Sequence, residues 1–235
     1  MKKVTPDATT QLQFEKAVNK AKYLLPLYLL VPIMFGVAFY LSGIAVEWSA
    51  FGLGALGWTI ALFLRGPLVA VVKKLKLSEE KASIVITGSS GVFEECVRLI
   101  ILLASSLTFS WSLSVGQGWA AVEVLFTMIN VIIIASLAKR TDEKAMQAKV
   151  ILRMQGNLGV SPAWGVFERI FASALHVGFT LLAARYPWAV VLFIPLHSAV
   201  NLLAIKWMKK SIIQMELLIA LVSTVVLIVG IVMAK

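Results

Sequence analysis

Seven apolar runs of about twenty residues divide the chain, and short polar or charged connections separate them. A run of that length crosses a hydrocarbon core of about 30 Å as a helix, whereas a barrel strand needs only about 9–11 residues. The pattern predicts spans over 23–46, 48–64, 82–107, 119–138, 162–184, 187–205 and 212–233. The fold class expected is all-α: one polytopic membrane helical bundle of about seven transmembrane helices over 23–235, preceded by a cytoplasmic N-terminal segment, 1–22. In that segment Leu12, Phe14, Ala17 and Val18 recur at helical spacing, which suits either a short interfacial helix or a polar tail. No small-residue cleavage site follows it, so the segment is expected in the mature protein. Residues 149–158, with Ile151, Leu152 and Met154, are expected to lie on the membrane surface.

Composition supports this division. Hydrophobic residues make up 60% of the chain and the mean hydropathy is +0.90, against about 45–50% apolar in ordinary globular chains. The net charge of +10 reads as membrane topology and not as a nucleic-acid footprint. Of the 22 basic residues, five fall in 1–22, five in 65–81, five in 139–161 and three in 206–210. The alternate connections hold only Arg185. By the positive-inside rule the N-terminus is cytoplasmic and the C-terminus lies outside, in a cytoplasmic membrane. The one cysteine, Cys96, cannot form an intrachain disulfide and reads as a small packing residue.

Polar groups inside the runs change the picture. Span two carries Gly52, Gly54 and Gly57, a small-residue face suited to close helix contact; Glu47, Trp48 and Arg65 read as interfacial anchors. Span three carries Glu94, Glu95 and Arg98. A charge at the bilayer centre costs about 2.5–3.5 kcal/mol on insertion scales, so lipid packing does not account for three. Arg98 follows Glu94 by four residues and Glu95 by three, within reach of both on one side of a helix. Gly88 and Gly91 precede the pair and admit a neighbouring helix or a substrate backbone. An outer loop over 108–118 then places Glu123 about one turn below the outer surface. Span five holds Glu168, Arg169 and His176, the last two seven apart and nearly on one face. Span six holds His197 and Asn201, one turn apart. At about 1.5 Å per residue, Glu94 lies about 18 Å from the inner end of its span, His176 about 21 Å from the inner end of its own, and His197 about 15 Å from the outer end. All three fall near the midplane, and these are the chain's only two histidines.

Two carboxylates, two imidazoles and an amide at one depth suit a reaction centre. A carboxylate can act as general base on water, and imidazole and amide donors can stabilise an oxyanion. The same residues suit proton relay, which has no need of Asn201, and two Glu with two His could ligate zinc. A structural reading, in which the ions fix helix packing, stands beside these.

Glu94-Glu95-x-x-Arg98, a later span with Glu168-Arg169 and His176, then His197-x-x-x-Asn201, resembles the YhfC-type intramembrane proteases. That family is grouped with the CAAX-processing proteases, the PrsW-type proteases and the anterior-pharynx-defective subunit of γ-secretase. The outer segment from Gly116 to Glu123 also resembles a YhfC-type motif. The resemblance covers roughly residues 23–205. It implies a glutamic intramembrane peptidase acting on a membrane peptide or protein in the bilayer, with no cofactor, or alternatively a zinc-dependent one. Glu94 would be the general base, Glu95 and Arg98 would hold it, His176 would share the catalytic water, and His197 with Asn201 would bind the oxyanion. Glu123, Glu168 and Arg169 are possible accessory residues. The group also contains a non-catalytic subunit, so a scaffold or immunity-type protein is the alternative function; a proton-coupled transporter is disfavoured because no inverted repeat is visible. The CAAX-processing pattern places its Arg one residue later and a Phe where Ala172 stands here. The charge pattern makes a prediction of its own. Reporters fused to the two termini should report opposite sides of the membrane, the N-terminal one cytoplasmic; the same side for both would refute seven spans.

Overall fold

A computed structural model describes residues 8–138, 140, 142, 145, 146, 161–208 and 210–235. Among these it contains seven α-helices: α1 Ala8–Leu41, α2 Trp48–Lys74, α3 Glu79–Ala104, α4 Phe109–Ala138, α5 Ala163–Arg185, α6 Val190–Met208 and α7 Ile212–Ala234, with a 3-10 turn at Pro187–Ala189 ahead of α6. The expected surface segment 149–158 lies outside the described residues. Six of the seven are long and apolar enough to cross a membrane. The seventh, α3, has 26 residues, about 39 Å of helix, and carries the charges of Glu94, Glu95 and Arg98 within it. Large apolar side chains from all seven face outward, as lipid contact requires.

The helix ends follow local chemistry. Gly43, at φ +81°, stops α1: Ile44 N–H donates to Phe39 O at 3.0 Å and Gly43 N–H to Tyr40 O at 3.0 Å. That is the left-handed glycine cap, and Ile44 packs back on Phe39 as such caps commonly do. Ser78 and Ser211 cap α3 and α7, accepting from Lys81 N–H and Gln214 N–H, each at 3.4 Å. Helix α1 continues through Pro26 and Pro32, and α2 through Pro67.

α3 packs against α2, α5 and α6; α4 against α1, α2 and α5; and α7 against α5 and α6. Ala234 lines a cavity with Leu107, Phe109, Leu181 and Arg185. The C-terminal end of α7 therefore shares one end of the bundle with the ends of α3 and α5 and the start of α4.

Three boundaries differ from the sequence expectation, and two of them matter for the site. The N-terminal segment is helical from Ala8 and continuous with span one. The expected outer loop 108–118 is helix, the first turns of α4. Its two glycines are packing residues: a side chain at Gly118 would run into the Phe51 carbonyl, and one at Gly116 into the backbone of Val177. Glu123 therefore sits fourteen residues into α4, about 21 Å from its start, and not one turn below the surface. Likewise α2 extends to Lys74, so Arg65 lies within the helix and is no interfacial anchor. Gly54 and Gly57 meet α4 and α3 closely, at Val115, Trp119 and Ile101, while Gly52 has nothing near it. Cys96, expected in the packing, is exposed on α3.

These contacts predict a contrast. Gly118→Ala should lower the thermal unfolding midpoint in detergent, at a cost of about 1–3 kcal/mol for overpacking. Gly52→Ala should leave it unchanged or raise it, since alanine is the better helix former.

Candidate active site

One face of α3 presents Gly91, Glu94, Glu95, Arg98 and Leu102 to the interior, at the three- and four-residue spacing of a single helical stripe. Gly91 sits against the backbone of α6 at Ile194 and Ser198, and Ser198 Oγ donates to Gly88 O at 2.6 Å. The glycines of span three therefore serve helix contact. By bringing α6 close they set His197 against the carboxylates.

Arg98 has no solvent exposure. Its Nε donates to Glu95 Oε2 at 3.0 Å and one terminal nitrogen to Glu95 Oε1 at 3.3 Å. The other terminal nitrogen donates to Thr180 Oγ1 at 2.6 Å and to His176 O at 3.2 Å. The guanidinium also lies over the Trp119 ring, 4.2 Å from its centroid, a favourable cation–π placement. Four helices, α3, α4, α5 and α6, thus meet at this ion, the last through Glu95, whose Oε1 lies 2.7 Å from His197 Nδ1.

The two imidazoles are oriented oppositely. Arg98 Nη2 lies 3.0 Å from His176 Nδ1. A guanidinium only donates, so Nδ1 accepts and the ring proton sits on Nε2, which is 2.5 Å from Glu123 Oε2. His197 Nδ1 faces a carboxylate and donates to it, which in the neutral ring leaves the lone pair on Nε2. That Nε2 is 3.9 Å from Glu94 Oε2. The rings stand edge to face with centroids 5.4 Å apart.

Glu94 is held on both oxygens. Oε1 pairs with Arg65 of α2, and Trp119 Nε1 donates to Oε2 at 3.4 Å. Each of Glu94, His176 and His197 offers one ligand atom within 4.8 Å of the others, and all three side chains are buried. They line a cavity of about 250 Å³ together with Arg65, Glu123, Glu168, Arg169, Ala172 and Asn201, among others.

All nine residues singled out from the sequence lie in or beside this assembly. Glu123 Oε1 pairs with Arg169 at 2.5 Å, and Arg169 also pairs with Glu168 at 2.5 Å. Asn201 lines the cavity and donates to Ser90 Oγ at 2.7 Å. Sequence reasoning missed Arg65, Trp119, Thr180 and Ser90. Arg65 had a signal: Gly54, Trp58, Ala61 and Arg65 recur at four, three and four residues, and the first three are buried. They form the face turned to α3 and α4, and Arg65 extends it. Thr180, one turn after His176, had none.

The sequence model of the YhfC intramembrane metalloprotease family matches residues 27–223. No curated protein and no solved structure matches the chain.

The ion network makes one prediction on stability. Arg98→Met strands the Glu95 charge in the interior and should destabilise the fold by about 3–5 kcal/mol. The double variant Arg98→Met with Glu95→Gln should recover part of that loss. Chemical unfolding of both in detergent checks this, and equal losses would show that Glu95 does not depend on Arg98.

Proposed function

The chain belongs to the YhfC intramembrane metalloprotease family, and from that premise we propose that it is a membrane peptidase that hydrolyses a peptide bond at the Glu94, His176 and His197 cluster, with zinc as the bound ion. The substrate is a membrane-associated peptide or protein entering the cavity from the bilayer. The protein sits in the cytoplasmic membrane with its N-terminus inside, as the basic residues of alternate connections favour.

The observation that carries the metal reading is the orientation of His197. Its Nδ1 donates to Glu95, and its Nε2, which holds the lone pair in the neutral ring, faces Glu94. A histidine with a carboxylate behind it and a lone pair in front is built as a ligand, whereas an oxyanion donor would present a hydrogen. Two imidazoles and a carboxylate match the His₂Glu donor set of catalytic zinc in type and number; His176, whose Nδ1 accepts from Arg98 and whose Nε2 carries its proton, would have to free one ring nitrogen to ligate. Zinc held there supplies Lewis acidity and a bound water that ionises near pH 7. Glu95 keeps His197 in its ligating tautomer, and Arg98 holds Glu95. Glu123, beside His176 and facing the same cavity, is the carboxylate available to receive the proton of the water. Asn201, on the cavity wall, is the donor for the oxyanion.

The metal-free alternative has one observation in its favour: Arg65 and Trp119 already occupy both oxygens of Glu94. In that reading Glu94 is the general base toward a water shared with His176, and His197 with Asn201 binds the oxyanion.

Elemental analysis of protein purified without chelator should find zinc near one per chain, and a chelator should abolish cleavage of a membrane peptide in liposomes until zinc is restored. Cleavage indifferent to chelator in a zinc-free preparation would move the assignment to Glu94 as base. Under either chemistry Glu94→Gln should remain folded and lose about 10²–10⁴-fold in rate, and Asn201→Ala should lose about 10²–10³-fold. Undiminished function in the Glu94 variant would instead support the scaffold alternative.

A further inference from the structure

Arg65 and Arg98 play different parts in the same cluster. Arg98 is fully buried and held by Glu95, His176, Thr180 and the Trp119 ring. Arg65 comes from a different helix, retains 20% side-chain exposure and pairs with Glu94 alone among the described residues. Its Nε is buried with no hydrogen-bond partner. The guanidinium therefore sits on the cavity wall with one strong contact and a buried Nε that has no partner, a state less anchored than that of Arg98. Its contact is the carboxylate that also faces His197 Nε2.

A cation between Glu94, His176 and His197 would share that carboxylate with the guanidinium. Two positive groups on one buried carboxylate repel each other strongly where water is scarce. Before a metal is bound, conversely, Glu94 would be an uncompensated charge in the bilayer without Arg65. We propose that Arg65 is the internal counter-ion that occupies Glu94 when no metal is bound, and that a divalent cation and the Arg65 guanidinium compete for this carboxylate. Arg65 is then a positioning residue that sets metal affinity through Glu94. The cavity it would swing into also holds Asn130 and Glu168. This rests on the metal reading above, and the experiment separates the two.

Zinc affinity is measured in detergent by competition with a chromophoric chelator, for the wild type, Arg65→Gln, Arg65→Lys and Glu94→Gln. Removing the competitor should tighten zinc binding at least about tenfold in Arg65→Gln. Arg65→Lys, which keeps the charge but not the planar fork, should fall between it and the wild type. Glu94→Gln should weaken binding. Equal or weaker binding by Arg65→Gln, with Glu94→Gln still weakened, would overturn the competition and leave the metal site standing. No zinc binding by any of the four would overturn both. If Arg65→Gln does not fold, Arg65→Lys decides: tighter binding than wild type supports the proposal, and unchanged or weaker binding rejects it.

Discussion

The fold depends on one buried guanidinium. Arg98 stands where a charge is least tolerated, and the structure answers that cost with donors matched to acceptors on α3 and α5 and a ring on α4. None of these partners substitutes for another. Glu95 neutralises the charge, Thr180 and the His176 carbonyl take the second nitrogen, and the His176 ring accepts from the third. Because a guanidinium can only donate, this arrangement also dictates which nitrogen of His176 carries its proton. The packing ion and the two imidazoles form one network, so the structural and chemical readings of the Glu-Glu-x-x-Arg stretch rest on the same contacts.

Much of this was legible from residue types and spacing. Apolar run length gave the helix count, and depth along each helix brought Glu94, His176 and His197 to one level before any contact was known. Depth arithmetic depends on where helices begin, however, and there it failed for Glu123 and Arg65. Gly116 and Gly118 look like loop residues on a line of sequence. They are helical, and glycine because neighbouring helices come so near that a side chain would strike the Phe51 carbonyl at Gly118 and the Val177 backbone at Gly116. Pro67, a helix breaker by propensity, lies inside α2, and Arg65 two residues before it reads as a terminus until tertiary packing keeps the helix going. Tautomers are a different kind of omission. Spacing places a histidine near a carboxylate but cannot say which ring nitrogen meets it, and the roles of His176 and His197 turn on that.

Family membership and site geometry bear on separate questions. Membership brings the chain into a group named for metal-dependent proteolysis within the membrane. It does not say which side chains of this chain would hold an ion. The geometry addresses that through what each donor atom already faces. Glu95 lies behind His197 Nδ1 and Glu94 stands in front of its Nε2, while His176 Nε2 is turned to Glu123. The three donors therefore differ in readiness: His197 is oriented, Glu94 is shared with Arg65, and His176 is engaged by a neighbouring carboxylate.

Charge balance carries this one step further. The cavity network holds four carboxylates, Glu94, Glu95, Glu123 and Glu168, and three guanidiniums, Arg65, Arg98 and Arg169. A fifth carboxylate, Glu216 of α7, is buried with neither oxygen hydrogen-bonded among the described residues, and it lies within electrostatic reach of Glu168 and Arg169. Four carboxylates against three guanidiniums leave one acid of this network without a fixed cation, in a region where unpaired charge is costly. A proton or an imidazolium can neutralise it. Arg65 of α2 pairs with Glu94, while the less exposed Arg98 pairs with Glu95 three residues before it on the same helix.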